Sequence, residues 1–172
     1  AAVAGSCGGA LVGNTYTTNA VTAACTVEAS FTRSDVVDLG NGESLTLDFG
    51  DSSNCRLIPG SAKSESSSAP PSDLASAIGK QVEFSLDNCA ASESLSVTVD
   101  FGTALPEGAK AYKVLGDGWI EITTATIGAS SVTYTLTDNG PYDSNPNLGE
   151  IDDPVTVATP VEIKATPVPT LP

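Results

Sequence analysis

Apolar residues recur at every second position in block after block of this chain. Leu45, Leu47 and Phe49 alternate with Ser44, Thr46 and Asp48. Val82, Phe84 and Leu86 repeat the pattern within residues 81–87, and Leu95, Val97, Val99 and Phe101 within residues 94–101. Successive side chains of a strand point to opposite faces, so this period predicts antiparallel strands with one face on a core and the other in water. Residues 25–32 alternate Val27, Ala29 and Phe31 against Thr26, Glu28 and Ser30. Residues 14–19, 110–115, 119–123, 131–137 and 155–158 also read as strands. Gly40-Asn41-Gly42, lying between residues 36–39 and 44–49, predicts a tight hairpin turn. One stretch invites a helical reading: residues 72–78 follow Pro70 and Pro71, Ser72 or Asp73 offers a cap, and Gly79 a stop. It is long enough for a single turn at best. Many short strands at regular spacing predict an all-β fold, an antiparallel, Ig-like β-sandwich.

Composition divides the chain into three parts. Residues 1–33 form an N-terminal module bracketed by two cysteines, and residues 34–158 the sandwich. Residues 159–172 carry Pro160, Pro167, Pro169 and Pro172, a spacing that forbids a central strand and predicts an extended, polyproline-like tail. Within the sandwich, residues 61–72 are Ser- and Pro-rich and read as a solvated connection. No stretch reaches the roughly 18 apolar residues of a membrane helix. Nor does the chain open on a signal peptide, which makes Ala1 a candidate mature N-terminus.

The four cysteines are Cys7, Cys25, Cys55 and Cys89, and four allow three pairings. Sequential pairing, Cys7 with Cys25 and Cys55 with Cys89, is favoured because each pair then lies within one local β unit. In the chain-entropy account, loops of this size give about 3–4 kcal/mol each. Persistent disulfides imply an oxidising compartment, hence an extracellular or cell-surface location.

Charge and residue types narrow the chemistry. Acids outnumber bases 21 to 7, for a formal net charge of -14, and the bases are scattered. Phosphate binding needs clustered Lys and Arg, so nucleic acid is not an expected partner. The chain has no His. It therefore lacks the usual general base near neutral pH, and Ser-His-Asp or Cys-His catalysis within one chain is excluded. Zinc would have to be held by four Cys without C-x-x-C pairs. Ser64–Ser68 offers hydroxyls but no base to activate them. The strongest enzymatic alternative is a carboxylate pair acting on a glycosidic bond, yet only 5% of residues are aromatic and sugar sites usually want aromatic platforms. Trp119 alternates with polar neighbours and reads as a core residue, with an exposed ligand platform as the alternative. Tyr16, Tyr112, Tyr134 and Tyr142 read as sandwich residues.

Two stretches resemble known families. Residues 7–32, CGGALVGNTYTTNAVTAACTVEASFT, resemble one unit of the InlB-like (listeria–bacteroides type) β-repeat of bacterial surface proteins. In that pattern the two cysteines bracket a hairpin, which supports the Cys7–Cys25 pairing. Residues 55–158 resemble the choice-of-anchor U domain of bacterial surface proteins. The resemblance is carried by Leu105-Pro106-Glu107-Gly108, Tyr112-Lys113-Val114, Gly118-Trp119 and TYTLTDNGPYDSNPNLGEIDDP over residues 133–154. Asn139 and Tyr142 stand where that motif usually has Gly, and Asn145 where it has Asp. Asn147, Gly149, Ile151, Asp153 and Pro154 keep its order. Such domains precede a C-terminal sorting segment, and Val168-Pro169-Thr170-Leu171-Pro172 resembles the opening of an IPTL-type sorting signal. Neither resemblance implies catalysis.

The densest group of candidate site residues is Asp138, Asp143, Asn145, Asn147, Glu150, Asp152 and Asp153. Calcium takes six to eight oxygens, and Asp143-x-Asn145-x-Asn147 has the opening spacing of a calcium loop, though no bidentate Glu falls twelve residues in. The alternative is turn chemistry, in which Asp and Asn side chains bond nearby backbone while Gly140 and Gly149 take positive φ. Apart from calcium no cofactor is expected.

Taken together, the residues and the resemblances point to a non-enzymatic extracellular structural protein of a bacterial surface. It is read as a self-associating fibre subunit, a homo-oligomer or homopolymer. The apolar residues 1–4, or residues 155–165, would add as a strand to a neighbour's sheet edge. The alternative is a calcium-dependent adhesin or carbohydrate-binding module that takes a surface ligand.

Overall fold

A computed structural model describes residues 2–13, 15–30, 33–50, 54–115 and 118–161. Among these residues every regular element is a β-strand. Four short strands make up the N-terminal segment: β1 (Ala2–Ala4), β2 (Gly9–Val12), β3 (Thr15–Thr18) and β4 (Glu28–Ser30). β2 pairs with β3 and β1 with β4, so the segment is a hairpin nested inside a second pairing. The Cys7–Cys25 disulfide joins its two arms. Beside it the Cys7 N–H donates to the Thr26 carbonyl and the Asn19 N–H to the Gly8 carbonyl. None of these residues enters the hydrophobic core. Val27, read from its alternation as inward-facing, is 45% exposed, because the paired arms have no second layer to pack on. Phe31 and Thr32 lie outside the described residues.

The rest is a two-layer antiparallel sandwich. Its five-stranded sheet contains β5 (Ser34–Gly40), β6 (Glu43–Asp48), β10 (Ser94–Asp100), β13 (Thr126–Ile127) and β14 (Ser131–Thr137), in the order β13-β14-β10-β6-β5. Its second sheet runs β12 (Gly118–Glu121), β11 (Lys110–Leu115), β15 (Ile151–Pro160), β9 (Leu74–Asp87), β7 (Arg56–Leu57), and β8 (Lys63–Ser66) also pairs with β9. The alternating apolar positions of both sheets meet in one cluster: Leu45, Leu47, Val97, Val99, Val132 and Leu136 from one side, Val82, Phe84, Leu86, Ile151, Val155 and Val157 from the other. Each such side chain contributes roughly 1.5–3 kcal/mol by leaving water. Cys55 and Cys89 form a disulfide within this cluster, tying the entry of β7 to the turn after β9.

The β5–β6 turn falls at the predicted place, with Asn41 and Gly42 at positive φ. A Cβ on Gly102 would lie 2.7 Å from the Gly42 carbonyl oxygen, so the close approach of the turn to the end of β10 requires glycine at position 102.

Three expectations are corrected. Residues 74–78 are strand, not a helical turn, because Leu74, Ala75 and Ser76 pair with Pro160, Thr159 and Ala158 of β15. Gly79 does not stop a helix. With φ of 68° it serves a bulge in which residues 77–80 stand opposite Val157. The Ser/Pro-rich connection stays largely solvated but is not a loop throughout: residues 63–66 are β8, with Lys63, Glu65 and Ser66 exposed, and the Ser67 N–H donates to the Gly79 carbonyl. Finally, residues 159 and 160 belong to the central strand β15 and not to a tail. Pro160 is tolerated as the last residue of that strand. Pro154 is tolerated because the β11 ladder ends at the Lys113–Val155 pair, one residue short of it. The rest of the expected tail, with Pro167, Pro169 and Pro172, lies outside the described residues.

Candidate functional site

The acidic loop connects β14 to β15 and closes on itself through its own backbone. Asp138 is buried; its Oδ1 accepts from the Gly149 N–H at 2.8 Å and its Oδ2 from the Ser92 N–H at 3.3 Å. Asp143 accepts three N–H groups: those of Asn145 and Asp152 on Oδ1 and that of Asn139 on Oδ2. Asn145 Oδ1 accepts from the Asn147 N–H, and its amide donates to Glu150 and Asp152. The Asn147 amide also donates to Glu150, at 3.0 Å. Six of the seven residues expected to supply calcium oxygens thus lie close together in and beside one loop, where Asp143 and Asn145 bond the N–H two residues on in the manner of Asx turns and Glu150 and Asp152 accept from side-chain amides. Among the described residues no group of three or more Asp, Glu, Cys or His is placed to hold a metal. Positive φ falls on Asn139 (55°) and Gly149 (84°) and not on Gly140. Gly140 is instead required by closeness, since a Cβ there would lie 2.8 Å from the Thr137 carbonyl oxygen.

The seventh residue, Asp153, leaves the loop and turns into the sandwich. The β11–β15 register sets Lys113 opposite Val155. Asp153 stands two residues earlier on β15, hence on the same inward face. Lys113 Nζ meets Asp153 Oδ1, and Tyr134 of β14 donates to Asp153 Oδ2 at 2.8 Å from the opposite sheet. Relative exposures are 0% for Lys113, 1% for Asp153 and 2% for Tyr134. Burial lowers the Lys113 pKa against the pull of Asp153 and raises that of Asp153 against the pull of Lys113. The Tyr134 phenol is pushed well above its ordinary value, first by burial and then by the neighbouring carboxylate. Each shift favours the uncharged form, as expected where water is excluded.

No protein-family model, curated protein or solved structure matches the chain. Its function is therefore argued from its own residues.

The outer face of the six-stranded sheet holds the aromatic pair. Trp119 is half-buried and not a core residue, because its register partner Val114 places it on the side away from the sandwich interior. Its ring lies 6.0 Å from that of Tyr112, and its Nε1–H donates to Ser68 Oγ at 3.3 Å. Tyr134 is buried in the sandwich core; Tyr112 is buried too, but on the outer face beside Trp119 and outside the core cluster, whereas Tyr16 is half-buried on the N-terminal hairpin and Tyr142 packs against the core rim. An open depression of about 600 Å³ runs past Gly60, Lys63, Glu83, Ser144 and Asp152. Its carboxylate Glu83 is engaged by Lys63 at 3.1 Å.

Sequence reading missed the Lys113–Asp153–Tyr134 group. Residues 110–115 (KAYKVL) put Lys113 on one face with Ala111, and Tyr112 with Val114 on the other. The second pair looks more like a core face, so alternation alone hid the buried lysine. No described helix is long and apolar enough to cross a membrane.

Proposed function

We propose that this chain is a non-enzymatic extracellular structural protein of a bacterial surface, a fibre subunit that self-associates by strand addition. The observation that carries this reading is the free edge of β5. Among the described residues β5 pairs only with β6, leaving a seven-residue strand along one side of the five-stranded sheet. A free edge presents unpaired N–H and C=O groups that another strand can complete. Proteins that avoid such pairing place charged residues, Pro or bulges on the edge. β5 carries two such guards, Asp35 and Asp38, and an irregularity beside the turn at Asp38/Gly40; it has no Lys or Pro, and Val36 on it is 70% exposed.

The donor is the N-terminal segment. β1 spans three residues, pairs with β4 and adds nothing to the core, so exchanging that partner for a neighbour's edge costs little. The other expected donor, residues 155–165, is occupied through Pro160 as a central strand. Head-to-tail exchange of this kind is heterologous, and it gives an open filament when the rotation between copies does not close a ring. Two disulfides and a strongly acidic composition support an extracellular setting. A calcium-dependent adhesin is less well supported, because Asp143, which would open its calcium loop, spends both carboxylate oxygens on backbone N–H groups. The test is electron microscopy of the native material beside a chain lacking residues 1–4. Filaments in the first and separate particles in the second support the reading, and separate particles in both count against it.

A further inference from the structure

The Lys113–Asp153 pair has a chemical capacity beyond stabilisation. Both side chains are sealed in the core, on neighbouring strands and on the same face, with Nζ against the carboxyl. Among the described residues Nζ and Oδ1 have no hydrogen-bond partner outside this contact. Tyr134 holds the other carboxyl oxygen from across the sandwich. We propose that Lys113 and Asp153 join in an intramolecular amide bond that cross-links β11 to β15.

The step balances without a co-reactant. The Lys113 ammonium passes a proton to Oδ1, leaving a neutral amine and a carboxylic acid. The Nζ lone pair then adds to Cγ while the Tyr134 O–H bond to Oδ2 steadies the charge developing on that oxygen. Oδ1 takes a second proton from the nitrogen and leaves as water. The Cγ–Nζ bond forms, the Cγ–Oδ1 bond breaks, nothing is oxidised or reduced, and Tyr134 ends as it began.

The site favours each stage. An ammonium has no lone pair and a carboxylate resists addition, so in water the pair is inert. Here burial depresses the amine's affinity for protons and raises the carboxyl's, so the ion pair shifts toward its reactive neutral form. Fixed proximity on paired strands removes the entropic cost of bringing the groups together. The Lys80–Glu43 contact serves as an internal comparison. Glu43 is buried, but the Lys80 side chain is 37% exposed, so its ammonium stays hydrated and no bond is expected there.

The test is the intact mass of the reduced, denatured full chain, followed by digestion after glutamate. The bonded protein weighs one water less than its sequence requires. Its fragments 108–121 and 151–162 stay joined, with fragment ions placing the junction at Lys113 and Asp153. The variant Lys113→Arg recovers the full mass. A wild-type mass equal to that of the sequence, with the two fragments separate, overturns the proposal. So does a missing water that persists in Lys113→Arg or maps to Lys80 and Glu43.

Discussion

Tyr134 donates its phenolic hydrogen to Asp153 across the sandwich at 2.8 Å, joining a strand of the five-stranded sheet to the central strand of the other. The hydroxyl and the carboxyl are both removed from water, so neither has a solvent substitute. Tyr134→Phe keeps the ring and deletes the donor. A buried acceptor left without its partner costs about 1–3 kcal/mol, and urea denaturation is expected to register a loss of that size. An unchanged midpoint would mean the bond contributes nothing.

The same phenol sets an alkaline limit. In the unfolded chain it ionises near its ordinary value of 10.0, whereas in the folded chain burial and then Asp153 keep it protonated well beyond that. Below about pH 10 both states hold the proton and the contribution is complete; above it only the unfolded chain releases the proton, so stability falls as pH rises. Lys113 titrates only while it is not joined to Asp153, and its burial-lowered affinity for protons then acts with the opposite sign. Tyr134's share is therefore the difference between wild type and Tyr134→Phe. From about pH 9 to about pH 11 the wild type is expected to lose stability faster than the variant.

The acidic loop is expected to need no metal for its shape. Asp143→Ala removes the acceptor of three backbone N–H groups, one exposed and two part-buried, and is expected to lower stability by about 0.5–1.5 kcal/mol in calcium-free buffer. A chelator is expected to leave the wild-type melting temperature unchanged. A rise in melting temperature on adding calcium, abolished by Asp143→Ala, would favour the adhesin reading.

The two cystines are expected to behave differently. Cys55–Cys89 closes a separation of 34 residues inside the core. Replacing both with Ala is expected to cost about 4 kcal/mol, a fall in melting temperature on the order of 10 °C for a chain of this size. Replacing Cys7 and Cys25 frees a hairpin that contributes nothing to that core, so the main calorimetric transition is expected to stay in place.

Much of the fold is legible where burial imposes a period of two. Leu45, Leu47, Val97 and Val99 alternate in the sequence and are 0% exposed in the structure. The turn at Asn41-Gly42 is legible because few residues accept its backbone angles. Legibility fails where pairing and not burial makes the strand. Residues 63–66 (KSES) have no apolar member, and their place in the sheet comes from the ladder offered by β9. Residues 74–78 carry good helix formers and a glycine stop, but β15 holds them extended. In the candidate site, the loop's turn chemistry followed from its Asp and Asn spacing. The inward turn of Asp153 did not, because its partners Lys113 and Tyr134 lie on distant segments.

Light scattering across a dilution series, on wild type and on Val36→Lys, tests the central claim most directly. Val36 is largely solvated, so this change is expected to alter stability by less than about 0.5 kcal/mol while placing a charge on the free edge. Strand addition at β5 predicts wild-type mass that grows with concentration toward long assemblies, and a variant that stays at the mass of one chain. A wild type that remains a uniform single chain at every concentration would contradict the account.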